Sequence, residues 1–513
     1  MSHNALSSQA RRIAVVGAGP SGVAAAKYLR AENAFDKIVL FEQRSRSGGI
    51  WNYTPDQRNE DLFTIPQANP KGQNQDPEWK ESDTVDQAKR KTANGLKKDA
   101  SFLSPMYEDL ETNIPRGLMG FKGLDWPEDT QLFPKHETVL DYVEEYGKEV
   151  QGFVQYETQV VDAEPNNNER NSTWNVTTRN LRTEQVTEEI FDAVIVANGH
   201  FIVPYIPEIP SIKEWNEQYP GLIIHSKYYR RPTDFTGKKV VVVGNSASGA
   251  DISNQIAQHC QTPLIWSTRS TSLFSATHGS AEKDPRRKEH RPIKQFLPRT
   301  RGVELEGGVI VEDIDAIVFA TGYFYSLPFL KNVKPSLITD GSYVNNTYQH
   351  LFFAPQPTLS FLALNQRVIP FPVAEAQSAV LARVYSGRLS LPPLPDMQAW
   401  EVARKAEIDS ARTFHLIPFP KDGEYINMLS RWALSASPRQ GLDNDGKGKI
   451  PPLWGEWDFW CRENFPAIRR AFGQLGDKRK TVTSIEEVGF DFAAHIRGKQ
   501  DSGASRVQDV ISG

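Results

Sequence analysis

Apolar residues in this chain fall into short unbroken runs that end in glycine-rich turns and lead into stretches of helical period. Runs of that kind mark strands covered on both faces, as in parallel sheets. Residues 13–16 form the first, 20–31 an alanine-rich helix and 37–42 a second strand. The pattern recurs at 240–243, where four valines precede a predicted helix over 250–259 and strands over 264–268 and 316–320. Between the repeats, 138–150 carries Val139, Leu140, Tyr142, Val143 and Tyr146 at helical spacing, and 155–189 alternates as short strands before a buried strand over 193–197.

Other segments punctuate this pattern. Residues 54–100 are polar and lack apolar periodicity, which predicts a partly mobile insertion. The proline-rich stretch 203–210 marks a crossing into a second domain, and the basic run over 283–301 is expected to be an exposed loop. Apolar segments at 360–364 and 375–386 return to the first domain, and 392–492 is aromatic-rich and expected to be helical. The fold expected is α/β with two Rossmann-like dinucleotide-binding domains. Residues 204–326 form the inserted one, while 1–203 and 327–513 form the other, with a C-terminal helical extension.

A chain of 513 residues is long enough for two or three cores. Its net charge of -4 gives no reason to expect nucleic acid as a partner. The polar first twelve residues lack the apolar core of a secretory signal, and no apolar run reaches the roughly 20 residues of a membrane span, so a cytoplasmic protein is expected. With Cys260 and Cys461 alone, there is neither a disulfide framework nor a redox pair at Cys-x-x-Cys spacing. A dithiol mechanism is thereby excluded, and no metal site is expected.

The first turn reads Gly17-Ala18-Gly19-Pro20-Ser21-Gly22. Such spacing suits a tight bend, close approach of backbone to a pyrophosphate, and a helix N-terminus facing the anion. Glu42 ends the next strand, where a carboxylate accepts a ribose hydroxyl and repels a 2′-phosphate. The second turn reads Gly244-Asn245-Ser246-Ala247-Ser248-Gly249-Ala250-Asp251, and its following strand ends in Ser267-Thr268-Arg269. A guanidinium in place of the acid favours a phosphorylated ribose, and so NADPH over NADH.

Tyr219, Gly221, His225 and Tyr229 stand at the spacing of the motif Phe-x-Gly-x-x-x-His-x-x-x-aromatic, with Tyr for Phe. Phe319-Ala320-Thr321-Gly322-Tyr323, Gly48-Gly49-Ile50-Trp51 and the run from Pro372 through Glu375 to Gln377 match further signatures. Across about residues 11–390 the chain resembles the flavin-containing monooxygenases, and later segments including 414–432 look most like fungal members. The resemblance implies FAD on the first turn, NADPH on the second, and O₂ activated at flavin C4a while NADP⁺ stays bound. A small-molecule sulfur or nitrogen nucleophile then takes the oxygen.

By the same resemblance, Asn113 in Thr112-Asn113-Ile114-Pro115 is the catalytic residue beside the flavin ring. FAD contacts are expected from Gly17, Ala18, Gly19, Pro20, Ser21, Gly22, Glu42, Gly49, Ile50, Trp51, Thr112, Asn113, Val160 and Gln377. NADPH contacts are expected from Gly244, Ser246, Ala247, Ser248, Gly249, Asp251, Ser267, Thr268 and Arg269. His225 is expected to be a linker residue bonded to backbone rather than a general base. Tyr229 stands where Baeyer–Villiger relatives usually carry Trp, which favours heteroatom oxygenation. The alternatives are Baeyer–Villiger or N-hydroxylating chemistry, or an uncoupled NADPH oxidase.

Overall fold

A computed structural model describes residues 9–55, 72, 74–81, 98–166, 173–270 and 284–498. The larger sheet has seven strands, in the order Thr347–Tyr348, Phe352–Phe353, Leu359–Phe361, Ala193–Val196, Arg12–Val16, Lys37–Phe41 and Val154–Gln155. Its centre is parallel, Arg12–Val16 lying between Lys37–Phe41 and Ala193–Val196. Strands distant in sequence therefore share one sheet, and the chain returns to it after an excursion of about 150 residues.

Helix Pro20–Ala31 covers one face and packs on helix Pro370–Tyr385, which is buried along almost its whole length. That helix starts five residues before the predicted position, because Pro370 and Pro372 fit a first turn whose N–H groups need no partner. On the other face lies an antiparallel sheet of Thr158–Asn166, Thr173–Asn180 and Val186–Phe191, whose Trp174 and Phe191 meet Val16 and Phe41.

The second sheet is parallel and five-stranded: Ile223–His225, Ala316–Phe319, Val240–Val243, Leu264–Ser267 and Arg287–His290. Its outermost strand corrects the expected exposed loop over 283–301. Arg287 pairs with Leu264, its guanidinium lies 5.0 Å from the Trp266 ring, and it donates to Ala250 O at 3.2 Å and Ser253 Oγ at 3.1 Å. Long basic stems can cover an apolar sheet edge while their heads find acceptors, so a charge run need not be a loop. Ile293–Leu297 is likewise a strand, with Phe296 buried.

Most of the expected insertion over 54–100 lies outside the described residues. Within it, Glu78–Glu81 pairs antiparallel with Lys98–Ser101, and Trp79 packs on Ala100, Phe102 and Leu181. The C-terminal region is helical as expected, with Leu394–Ala406, Lys421–Leu434 and Glu456–Gln474 as its longest helices. Its approach is fixed by a buried bidentate pair, in which Arg388 Nε and Nη2 each donate to the Glu32 carboxylate at 2.7 Å.

Two buried histidines, His350 and His415, and the half-buried His200 gather around Tyr325 and the start of this region. His415 Nε2 accepts from the Val344 amide at 3.1 Å, so the proton of the neutral ring sits on Nδ1 and is donated to His350 Nδ1 at 2.9 Å. Burial pushes His350 down to about 3, and burial together with the neighbouring imidazoles pushes His415 down as well.

A prediction follows from linkage. Below pH 6.5 the unfolded chain protonates His350 and the folded chain does not, so acidification costs the wild type stability. His350→Gln keeps an acceptor for His415 and removes that proton uptake. Between pH 7 and pH 5 the wild type is expected to lose up to about 2 kcal/mol relative to the variant. Parallel denaturant titrations check this, and a pH-independent difference between the two proteins refutes it.

Candidate functional site

The two glycine-rich turns share one construction. Gly17 has φ +104, and a Cβ there would meet Ala197 O at 2.7 Å; a Cβ on Gly22 would lie 1.9 Å from Gly17 O. Gly244 has φ +115, with its virtual Cβ 2.4 Å from Ala320 O, and that of Gly249 falls 2.2 Å from Gly244 O. In each case the helix start presses on the end of its strand, which only glycine permits. The helices that follow, Pro20–Ala31 and Ala247–Ile256, have Gly19 and Ser246 at their N-caps and no side-chain cap. First-turn N–H groups left uncapped in this way suit a pyrophosphate.

Gly19 differs from its neighbours. Its φ of -72 is open to any residue, and its virtual Cβ reaches only ordinary contact, 3.4 Å from Gly49 Cα. Gly49, Ile50 and Trp51 form a 3₁₀ turn directly against Gly19, tied down by the Gly48 amide donating to Ala18 O at 3.1 Å. Ser104 Oγ donates to Ile50 O, and Trp51 packs edge-on to Phe371 with centroids 6.5 Å apart. Two backbone loops thus enclose a cradle that no side chain fills, and the cradle fits a dinucleotide.

Glu42 is buried and accepts from Ala18 N–H at 2.8 Å and Arg44 N–H at 2.9 Å. Burial raises its carboxyl above the usual range, against the pull of those amides. It therefore shapes the turn and keeps lone pairs uncommitted. Ala18 N–H is taken by this contact.

Several expected contacts turn inward. The Val160 side chain lies in the core with Val16 and Phe41, at a break in strand register, so only its main chain is open to a cofactor. Thr112 Oγ1 donates to Ile114 O at 3.0 Å and shapes its own turn. Gln377 uses both amide hydrogens on Asn365 Oδ1 (2.9 Å) and Tyr425 OH (3.1 Å), while its Oε1 accepts from Ala363 N–H at 2.8 Å. It holds the 363–365 loop, where Ala363 has φ +54. Ser267 Oγ is buried and donates to Arg291 O at 3.3 Å.

Asp251 faces away from its turn. Its Oδ2 accepts from Tyr107 OH at 2.5 Å and Gln255 Nε2 at 3.0 Å, and burial raises its carboxyl. Thr268 is half-buried and Arg269 exposed at the strand end. His225 fulfils its expected role: Nδ1 accepts from Lys227 N–H at 3.1 Å, so Nε2–H donates to Gly322 O at 2.9 Å, and burial pushes it down to about 3. Asn113 is half-buried, and its carboxamide has no hydrogen-bond partner among the described residues. Ser21, half-buried in the first turn, likewise makes no side-chain hydrogen bond among the described residues, so these two polar groups stay free on the flavin side.

Sequence reasoning missed Arg412. Its guanidinium lies 3.7 Å over the Tyr205 ring, donates to Tyr323 O at 3.2 Å, and is close enough to Arg269 for their charges to interact. Its Nη1 is buried with no partner among the described residues. No local signal marks it, since it lies over 140 residues beyond Arg269 in a region of scattered charges.

This geometry is matched by known proteins. The FMO-like flavin-binding monooxygenase family matches residues 97–281 and 292–437, and an NAD(P)-binding Rossmann-like domain matches 15–79. The chain is 33% identical over 442 residues to flavin-containing monooxygenase FMO GS-OX-like 2 of Arabidopsis thaliana, covering 82% of this chain and 84% of the relative. A fungal relative, flavin-containing monooxygenase iboF of Amanita muscaria, is 28% identical, covering 84% of this chain and 89% of its own. The structure of S-allyl-L-cysteine S-oxygenase from Allium sativum aligns with a TM-score of 0.70 and 28% identity over 96% of this chain and 99% of that one.

The chain belongs to the flavin-containing monooxygenase family. It is an FAD-dependent monooxygenase with a nicotinamide-nucleotide site, and the relatives include fungal members, as expected. Among the described residues no helix is long and apolar enough to cross a membrane.

Gly19 allows folding and flavin binding to be separated. Gly19→Ala is expected to fold with the thermal stability of the flavin-free wild type yet purify with little flavin, as visible absorbance reports. Gly22→Ala is expected to fail at folding itself. Full flavin content in Gly19→Ala would remove that turn from the cofactor site.

Proposed function

We propose that this chain is an NADPH- and O₂-dependent monooxygenase that oxygenates a nucleophilic sulfur or nitrogen of a small molecule. The observation that carries this reading is the half-buried carboxamide of Asn113, which has no hydrogen-bond partner among the described residues. Similarity to an S-oxygenase along nearly the whole chain supports sulfur in particular.

FAD, when bound, supplies a two-electron acceptor for hydride and the means to activate O₂. The protein's share is binding and exclusion of water. Uncapped amides of the first turn hold the pyrophosphate, and Glu42 fixes the turn and selects an unphosphorylated ribose. Arg269 and Arg412 form a cationic pair for the 2′-phosphate. The Asn113 amide donates where charge develops near the ring, and no general base is needed.

Two outcomes check this reading. Arg269→Ala is expected to weaken NADPH use by roughly ten- to hundredfold with NADH use nearly unchanged, the loss of one charge-assisted contact of about 1.5–3 kcal/mol. Arg412→Ala shifts the same preference in the same direction. Equal losses for both coenzymes would show that these arginines support the fold instead.

Asn113→Ala is expected to keep flavin reduction within about twofold while diverting turnover from oxygenated product to released hydrogen peroxide, for a loss of about 1–3 kcal/mol in the oxygen-transfer step. NADPH, product and peroxide measured together decide it. Unchanged coupling reduces Asn113 to a turn residue, and coupling absent with every substrate tried identifies an NADPH oxidase.

A further inference from the structure

The segment from Ser104 to Asn113 touches three bodies. It belongs by sequence to the first unit, yet Tyr107 packs into the core of the second beside Tyr229, with ring centroids 5.1 Å apart. Buried Arg230 of the second unit donates through Nη2 to Ser104 O at 3.1 Å and through Nη1 to Met106 O, and its own carbonyl accepts from the Glu108 amide at 3.0 Å. Gln255 Nε2 reaches Asp109 O at 3.2 Å. On the far side the largely covered Glu111 carboxylate is paired with Arg469 and Arg479 of the C-terminal extension, both at 3.1 Å.

A side-chain cross-link joins Tyr107 OH, as donor, to Asp251 Oδ2 at 2.5 Å. Asp251 lies in the first half of the helix that starts at the second glycine-rich turn, so its carboxylate moves with any coenzyme bound there. Six residues beyond Tyr107 along one strand of chain stands Asn113.

We propose that Asp251 and Tyr107 are positioning residues: through their hydrogen bond, occupation of the nicotinamide-nucleotide site sets the placement of Asn113. The inference rests on the role given to Asn113 above. It makes Asp251 a transmitter rather than a coenzyme contact. Gln255 braces the same carboxylate, and Arg230 and the Glu111 cluster clamp the two ends of the segment. A shift of the coenzyme helix is therefore passed to residues 107–113 rather than absorbed by a free loop.

The test uses the flavin-loaded enzyme with Tyr107→Phe, Asp251→Ala and Asp251→Asn, the last of which keeps an acceptor for the tyrosine. Tyr107→Phe and Asp251→Ala are expected to raise peroxide released per NADPH by roughly fivefold, with flavin reduction little changed and the double variant no worse than either single one. Asp251→Asn is expected to restore coupling.

A second readout needs no turnover. NADP⁺ is expected to slow amide hydrogen exchange over residues 107–113 in the wild type and Asp251→Asn, but not in Tyr107→Phe. A purely structural contact would change exchange equally with and without NADP⁺. If Asn113→Ala uncouples the enzyme while Tyr107→Phe matches the wild type in both readouts, this inference fails and the function above stands. If Asp251→Ala raises the KM for NADPH with coupling intact, Asp251 is a coenzyme contact and the inference is overturned. If Asn113→Ala itself remains coupled, both fall together.

Discussion

At two places in this chain a helix begins so close to the strand before it that a single methyl group would overlap a carbonyl oxygen. Gly22 against Gly17 and Gly249 against Gly244 set this limit, at 1.9 and 2.2 Å for the missing Cβ atoms. The contact brings each helix N-terminus to the carboxyl end of its sheet, with first-turn amide N–H groups left uncapped. Loops 48–51, Glu42 and the strand end at Arg269 take their places around the ends so fixed. A larger residue at either contact displaces the helix, and with it the geometry of a whole cofactor site.

The segments carrying function are held from a distance by charge. Glu32 with Arg388 and Asp422 with Arg462 are buried pairs, and Glu111 with Arg469 and Arg479 is a half-buried cluster, joining residues 40 to 368 positions apart. Buried ion pairs contribute little net stability over apolar packing, but removing one partner is costly and alternative registers leave charges unmatched. These pairs around one extension favour a single docking of the C-terminal helices. That docking fixes the outer wall of the segment bearing Asn113.

Much of this was legible in the sequence where chemistry is local. The parallel strands, both turns, Glu42, the backbone-bonded His225 and the exposure of Arg269 follow from residues within about 25 positions of one another. What escaped depends on partners far along the chain. Gln377 and Asp251 match cofactor-binding patterns by position, yet their polar groups close on Asn365, Tyr425 and Tyr107. Arg412 gives no local signal because its significance comes from Tyr205 beneath it and Arg269 beside it. The basic run near Arg287 misled because charge predicts exposure only where no apolar edge needs covering, and Trp266 provided one.

Gly19 has a consequence for how such a chain can change over generations. Its backbone angles suit any residue, and the folded protein leaves ordinary room for a Cβ. Gly17 and Gly22 are required by folding alone, whereas the fold leaves room at Gly19, where on the proposed reading a bound dinucleotide excludes a side chain. In a descendant that had ceased to use flavin, the two folding glycines would persist and position 19 would drift. The identity of that one residue therefore records whether a protein of this architecture is still an enzyme, even where the rest of the turn looks intact.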